Sequence, residues 1–309
     1  MRTLNHKDIA QGYWFVNVET CNMCGSQSGS HKIMGNRLNQ SQGKFPRRKA
    51  GISLTVKKCK TCGLIFSDPL PIPASIQDHY NLAPEQYWKE EYFNISPDYF
   101  QWEINTLQTI LPFRHGMKTL DIGAGLGKQM LALQNAGYEV FGIEPSQSFY
   151  EMAIQKRNIP QEKLTNSSIE NAEFETNYFD FISFGAVLEH LYNPSDAIGI
   201  ALQWLKPGGI IHVEVPSADW LIAKLANVFY KLCGQGYVTN LSPMHEPFHL
   251  YEFTLKSFQY NALKHNYSVA HFNYFTCETY LPKVFNSILK PYMRKTGKGM
   301  QLVVWLQKT

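Results

Sequence analysis

Charge is scarce in this chain, and an excess of one sign is scarcer still. Charged residues make up 17% of 309, and the formal net charge is +4. Nucleic-acid binders carry a concentrated basic face. Here the N-terminal cations Arg47-Arg48-Lys49 and Lys57-Lys58 cluster, and they read as a solvated loop. Long apolar runs are missing as well. No stretch reaches the roughly 18 uncharged apolar residues of a spanning helix, and the nearest, Trp220 to Leu232, is interrupted by Lys224 and Lys231. Residues 1–20 contain no apolar segment followed by a small-residue cleavage site, so no secretory leader is expected and the protein is read as cytoplasmic. With six cysteines in a reducing compartment, structural disulfides are not expected. What is present, 44% apolar and 14% aromatic residues, suits a globular chain, and 309 residues are enough for one large domain or for one medium domain plus a small one. The aromatics read first as core filling and second as a substrate pocket.

Four of the cysteines come as two pairs, Cys21-Asn22-Met23-Cys24 and Cys59-Lys60-Thr61-Cys62, each followed by a glycine. Thiolates three positions apart on a tight turn can chelate one ion, and two such knuckles complete a tetrahedral site. The pattern is that of a zinc ribbon, with Cys21, Cys24, Cys59 and Cys62 holding a structural Zn2+. Four protein ligands leave no open position for catalysis. A redox pair or an Fe–S cluster is the alternative, but neither pair sits in the βαβ context of a redox motif. Residues 25–43, rich in Gly, Ser, Asn and Gln, read as a loop inserted between two ribbon hairpins. Cys233 and Cys277 stand alone and read as buried thiols. The module closes at Leu64 to Pro73, where prolines at 69, 71 and 73 demand an extended connector. Residues 75–111 then read as helical, Tyr99, Trp102, Leu107, Ile110 and Leu111 recurring at near-helical spacing before Pro112.

From Lys118 the pattern alternates. Strands are expected near 118–122, 139–143, 163–166, 179–184 and 209–215, and helices near 127–136, 147–157 and 195–205. That order implies a parallel, doubly wound sheet with ligands at the strand C-terminal ends. The first strand runs into Asp121-Ile122-Gly123-Ala124-Gly125-Leu126-Gly127. A dinucleotide fingerprint would be G-x-G-x-x-G, but its third glycine would fall on Lys128. The spacing is G-x-G-x-G.

With this loop, Phe141-Gly142-Ile143-Glu144-Pro145-Ser146, Ser168-Ile169-Glu170, Phe179 to Ala186 and Leu205-Lys206-Pro207-Gly208-Gly209, the chain resembles the class I S-adenosylmethionine (SAM)-dependent methyltransferases over roughly residues 80–275. The resemblance implies a Rossmann-like, seven-stranded α/β sheet, mostly parallel with an antiparallel last strand. It would occupy residues 74–309, after a zinc-ribbon module and connector over 1–73. It also implies SAM as cofactor, with contacts from Asp121, Gly123, Ala124, Gly125, Gly127, Glu144, Pro145, Ser168, Ile169, Phe184 and Gly185. The glycine-lined turn would accommodate the methionine part, and Glu144 would accept hydrogen bonds from both ribose hydroxyls. Ser168 stands where members often carry Asp.

Methyl transfer from a sulfonium needs little beyond positioning and exclusion of water, unless the acceptor hydroxyl must lose a proton. Glu189 and His190 follow the fourth strand, and His249 lies in Met244 to Phe253, which resembles the family segment over the substrate pocket. Three readings stand side by side: His190 or His249 as general base, Glu189, His190 and His249 as ligands of a divalent ion, or both histidines as scaffold. Relatives that use such a metal generally add a carboxylate, whereas Ala186 occupies the position three before Glu189. Stretches 217–252 and 276–298 read as lid insertions. The basic helix expected from Glu278 to Lys295 reads as solvated, with a membrane-surface or acidic-partner role as the alternative. The acceptor is expected to be a small molecule: a sugar, a glycolipid precursor or a natural-product intermediate. An RNA methyltransferase gripping its substrate with the ribbon, or a non-catalytic SAM-binding partner protein, are the competing functions.

Overall fold

A computed structural model describes residues 13–40, 49–73, 94–241, 249–277 and 283–309. The N-terminal part of the helix expected over 75–111 lies outside these, as do Arg47 and Arg48. The ribbon contributes β1 (Tyr13–Val16), β2 (His31–Gln40), β3 (Lys49–Cys59), β4 (Ile65–Ser67) and β5 (Leu70–Pro73). The loop expected over 25–43 is corrected here, because β2 pairs antiparallel with β3 from His31↔Cys59 to Gln40↔Lys49. Hairpin hydrogen bonds satisfy the backbone whatever the side chains are, so polar composition marked an exposed ribbon and not a lack of structure.

The helix α1 (Gln101–Ile110) leads into β6 (Lys118–Ile122), α2 (Lys128–Asn135), β7 (Glu139–Ile143), α3 (Gln147–Arg157), β8 (Leu164–Thr165), β9 (Phe179–Gly185), α4 (Pro194–Trp204) and β10 (Leu205–Pro216). There follow α5 (Leu221–Leu232), β11 (Tyr251–Glu252), α6 (Leu255–Ala262), β12 (Tyr267–Phe275), α7 (Lys283–Thr296) and β13 (Gln301–Lys308). Seven strands form one sheet in the order β12-β13-β10-β9-β6-β7-β8. β13 runs antiparallel to both its neighbours, while β10, β9, β6, β7 and β8 are parallel. Side chains alternate between two cores, as the strand period requires. Ile182, Phe184, Val213 and Val304 pack with α4 and α6, and Phe181, Ile210, Val303 and Trp305 with α1 and α2.

The first of those cores also contains Cys21, Cys59, Cys62, Leu64 and Phe66, so ribbon and sheet share one apolar interior. β4 extends this union by pairing with β11, Ile65 opposite Glu252 and Phe66 opposite Tyr251. Among the described residues no helix is long and apolar enough to cross a membrane. Cys233, read as buried, is exposed at the end of α5, and Cys277 is half-buried.

Candidate active site

The glycine loop is latched to the neighbouring strand: the N–H groups of Gly123 and Ala124 both donate to Ile143 O, at 2.9 and 3.0 Å. Gly123 has φ +70°, and a Cβ there would lie 2.6 Å from Val187 Cγ2. Gly127, at φ +72°, starts α2 and would meet Ile159 at 2.9 Å. Gly125, at φ +53°, faces open space. Two glycines are thus demanded by packing, while the middle one leaves room for a ligand to approach the backbone.

Glu144 closes the loop from the next strand. Its Oε2 accepts from Gly125 N at 2.7 Å and its Oε1 from Ser146 N at 2.8 Å. Burial pushes its carboxyl up to about 7 against the stabilising pull of those two amides. A carboxylate offers about four lone-pair sites, so two hydroxyls can still be accepted. Asn166, which the sequence reading passed over, donates to the carbonyls of Glu144 at 2.8 Å and Pro145 at 3.3 Å and fixes this turn. Glu144→Gln is expected to weaken SAM binding about tenfold to a hundredfold, the worth of charge-assisted hydrogen bonds. Isothermal titration with SAM checks it.

Asp121 is only 2% exposed and acts inside the fold. It accepts from Ser183 Oγ at 2.7 Å and Gln129 Nε2 at 3.0 Å, and burial raises it to about 6. Gln129 was missed by sequence reasoning, although a polar residue at a buried position of α2 is itself a signal. A Cβ on Gly185 would lie 2.6 Å from its amide nitrogen, which accounts for the glycine there. Ile169 and Phe184 are buried in the core. Ser168 Oγ is buried without a hydrogen-bond partner.

Across the sheet edge from the loop, Leu188–His190 forms a short helical turn. Leu250 N donates to Glu189 O at 2.7 Å. This joins the turn to the segment carrying His249. The rings of His190 and His249 lie 4.9 Å apart, edge to face, and His249 Nε2 is 4.0 Å from Glu189 Oε1. Glu189 is 2% exposed, its Oε2 has no hydrogen-bond partner, and burial lifts the carboxyl to about 8. One ligand atom from each of Glu189, His190 and His249 falls within 4.8 Å of the others. An orphaned carboxylate oxygen with two imidazole nitrogens is a donor set that fits a divalent cation keeping water as its remaining ligands.

A second convergence was not anticipated. His212 and Glu214 are two apart on β10 and so share a face, and Glu103 of α1 comes against them, the three ligand atoms again within 4.8 Å. Neither ring nitrogen of the fully buried His212 has a partner, and burial lowers its value to about 3. Burial and Glu103 raise Glu214 to about 7. Burial, with a smaller push from Asp121, Glu214 and Glu103, raises Tyr99, and Glu214 adds a small push to Glu189. Glu103, His212 and Glu214 thus form an acidic cluster between α1 and β10. The sequence shows two of its members, since Gly209 to Val215 is apolar except for His212 and Glu214, but nothing local to them shows the approach of Glu103.

The four ribbon cysteines converge as expected. Cys21 and Cys62 sulfurs lie 3.5 Å apart, Cys24 and Cys59 3.6 Å, and all four fall within 4.8 Å of one another. These spacings are close to the roughly 3.8 Å edge of a tetrahedron with Zn–S near 2.3 Å. The sulfur of Cys62 against Cys21 holds the Cys21 thiol well below its usual range. The knuckles are tied to the sheet domain by Thr254 Oγ1, which donates to Cys62 O at 2.6 Å, and Asn261 Nδ2, which donates to Met23 O at 3.1 Å.

A family model described as a methyltransferase domain matches residues 101–280. The chain is 26% identical over 178 residues to a ubiquinone biosynthesis O-methyltransferase of Azoarcus sp. (strain BH72), covering 55% of this chain and 72% of that one. It is 32% identical over 102 residues to a demethylmenaquinone methyltransferase of Staphylococcus aureus (strain MRSA252), covering 32% of this chain and 42% of that one. In fold it is similar to a SAM-dependent methyltransferase from Archaeoglobus fulgidus, with TM-score 0.50, 15% identity, and coverage of 72% of this chain and 99% of that one.

Proposed function

The chain belongs to the SAM-dependent methyltransferase family, and from that premise we propose that it methylates a small molecule whose nucleophile is presented between the glycine loop and Glu189, His190 and His249. The observation that carries this reading is the convergence of those three side chains at the sheet edge that also bears the loop and Glu144. SAM would lie over Gly123 to Gly127, its ribose on Glu144 and its adenine beside Ser168. Asp121, Gln129 and Gly185 would support the loop from below without facing the acceptor. Residues 1–73 serve as a ribbon and connector joined to a catalytic domain over 74–309, with α5 and α7 as lids. We retain the cytoplasmic reading and a structural zinc on the four cysteines.

Either His190 or His249 can take the acceptor's proton. A second reading is favoured by the orphaned Glu189 Oε2: the trio holds a divalent cation, which when bound would acidify an acceptor hydroxyl. Quinone precursors, sugars and glycolipid precursors are the acceptor classes to try, the first because of what the relatives are named for. The test is transfer of labelled methyl from SAM over these acceptors after exhaustive chelation and re-addition of single metals. Transfer restored by Mg2+ or Mn2+ assigns the cation to the trio, because thiolates do not favour these ions. Transfer restored only by Zn2+ is apportioned by stoichiometry, one ion per chain for the cysteines alone and two where the trio also binds, since two imidazoles and a carboxylate also take zinc. Labelling of RNA alone, with steep salt dependence, would replace this reading by the nucleic-acid one.

A further inference from the structure

The two lid helices place no side chain in the Glu189, His190 and His249 cluster or on the glycine loop, and both expose the wrong face for a water-soluble surface. α5 turns Leu225, Val228, Phe229 and Leu232 outward at 51%, 56%, 62% and 82% exposure. Their spacing is one stripe of a helix. α7 does the same with Val284, Phe285, Ile288 and Tyr292 at 69%, 52%, 72% and 46%. An ordinary solvated helix, the reading expected for this basic stretch, would turn those residues inward. Met293 is what α7 buries instead.

Both helices rise from one place. β10 ends at Pro216, which pairs with Gln301 at the start of β13. α5 begins just after the first and α7 ends just before the second. Leu221 N donates to Lys298 O at 3.2 Å and Ser217 N to Met300 O at 2.8 Å, which ties the two roots together. This is the C-terminal edge of the parallel strands, the edge that carries the glycine loop and the Glu189 turn.

The charge on these helices has one sign. α5 carries Lys224 and Lys231, and α7 carries Lys283, Lys290, Arg294 and Lys295, and neither helix contains an acid. Lys224 is paired with Asp219, at 2.8 Å. A second copy of the chain laid on this face would bring like cations together. A nucleic acid would leave the apolar stripes in water. Apolar stripes on helices whose charged residues are all cations match an interface where acyl chains end and phosphates begin.

We propose that this edge docks on an anionic lipid surface, with the outward stripes of α5 and α7 entering the headgroup–acyl boundary and their lysines and arginine meeting lipid phosphates. Docking in this way turns the site edge toward the membrane. Resting on the methyltransferase reading above, it follows that the acceptor is delivered from the lipid phase.

The test is co-sedimentation of the full chain with vesicles of phosphatidylcholine, with and without phosphatidylglycerol. Binding is expected to be roughly tenfold or more tighter to the anionic vesicles and to fall with added salt. The pairs Val228→Glu with Phe229→Glu and Phe285→Glu with Ile288→Glu should each cut vesicle binding at least about tenfold. Unchanged SAM affinity by calorimetry would show that the fold is intact. Equal or absent binding to both vesicles overturns the proposal, as does wild-type binding by both variants. So does a dimer in light scattering that the same substitutions dissolve. Failure of the wild-type chain to bind SAM would strike the methyltransferase reading and leave the vesicle result standing.

Discussion

Cys62→Ser is expected to abolish methyl transfer, a loss beyond a thousandfold, while SAM affinity falls far less. The reason lies in the path from the knuckle to the site. Three residues after Cys62, β4 begins, and it pairs with β11, which starts two residues after His249. Ser67 N donates to Leu250 O at 3.2 Å, and Leu250 N to Glu189 O at 2.7 Å. The side chain of Thr254 returns to Cys62 O. The segment that places His249 against Glu189 is therefore a strand of the ribbon's own sheet. A structural zinc contributes on the order of 10–16 kcal/mol of apparent binding energy in small zinc modules, comparable to the whole stability of a domain. Removing one ligand melts the knuckles and with them the register of β4 on β11.

The glycine loop does not rely on the ribbon for its hydrogen bonds. Its latches run to Ile143 and Glu144, and among the described residues no hydrogen bond joins it to the ribbon. Zinc content, SAM affinity and turnover measured on one preparation separate the two effects. Full turnover in a zinc-free variant would show that β11 does not depend on the ribbon for its place.

How much of this was legible in the sequence differed by kind of feature. The strands and helices of the SAM-binding half declare themselves because each is short, regularly patterned and bounded by Gly, Pro or Ser, as at Ser146, whose side chain accepts from Phe149 N to start α3. The cysteine pairs were legible because ligand spacing is a local property. Glu144 was legible from its place at the end of a strand. β2 was not, since a strand whose side chains from His31 to Arg37 are all half-buried or exposed need not be apolar on either face. Gln129, Asn166 and the Glu103, His212 and Glu214 convergence depend on contacts between elements distant in sequence, which periodicity does not carry. The same holds for the apolar faces of α5 and α7. Amphipathicity gives a helix two faces, and only the fold decides which one is turned out.

His249→Ala and Glu189→Gln are expected to lower turnover by about 10²–10⁴, the range of lost proton-transfer or acceptor activation, with SAM affinity unchanged. Glu189→Gln should also change how stability depends on pH, whatever part the side chain plays in turnover. Burial raises the Glu189 carboxyl to about 8 in the folded chain, against about 4.3 when unfolded. The folded state therefore holds a proton that the unfolded state releases. The stability it contributes is fully present below about pH 4 and is lost as pH rises through 8, at about 1.4 kcal/mol per unit of displacement as an upper bound. Glutamine at this position cannot ionise. The variant should thus melt above the wild type at pH 8.5, by several degrees, and close to it at pH 5. A cation on the trio neutralises the carboxylate and reverses this order. If added Mn2+ raises the wild-type melting temperature at pH 8.5 and leaves Glu189→Gln and His249→Ala unmoved, the trio is a metal site. If it moves none of them while turnover is still lost in both variants, a histidine acts as the base. Unchanged turnover in both variants and in His190→Ala would leave all three side chains as scaffold.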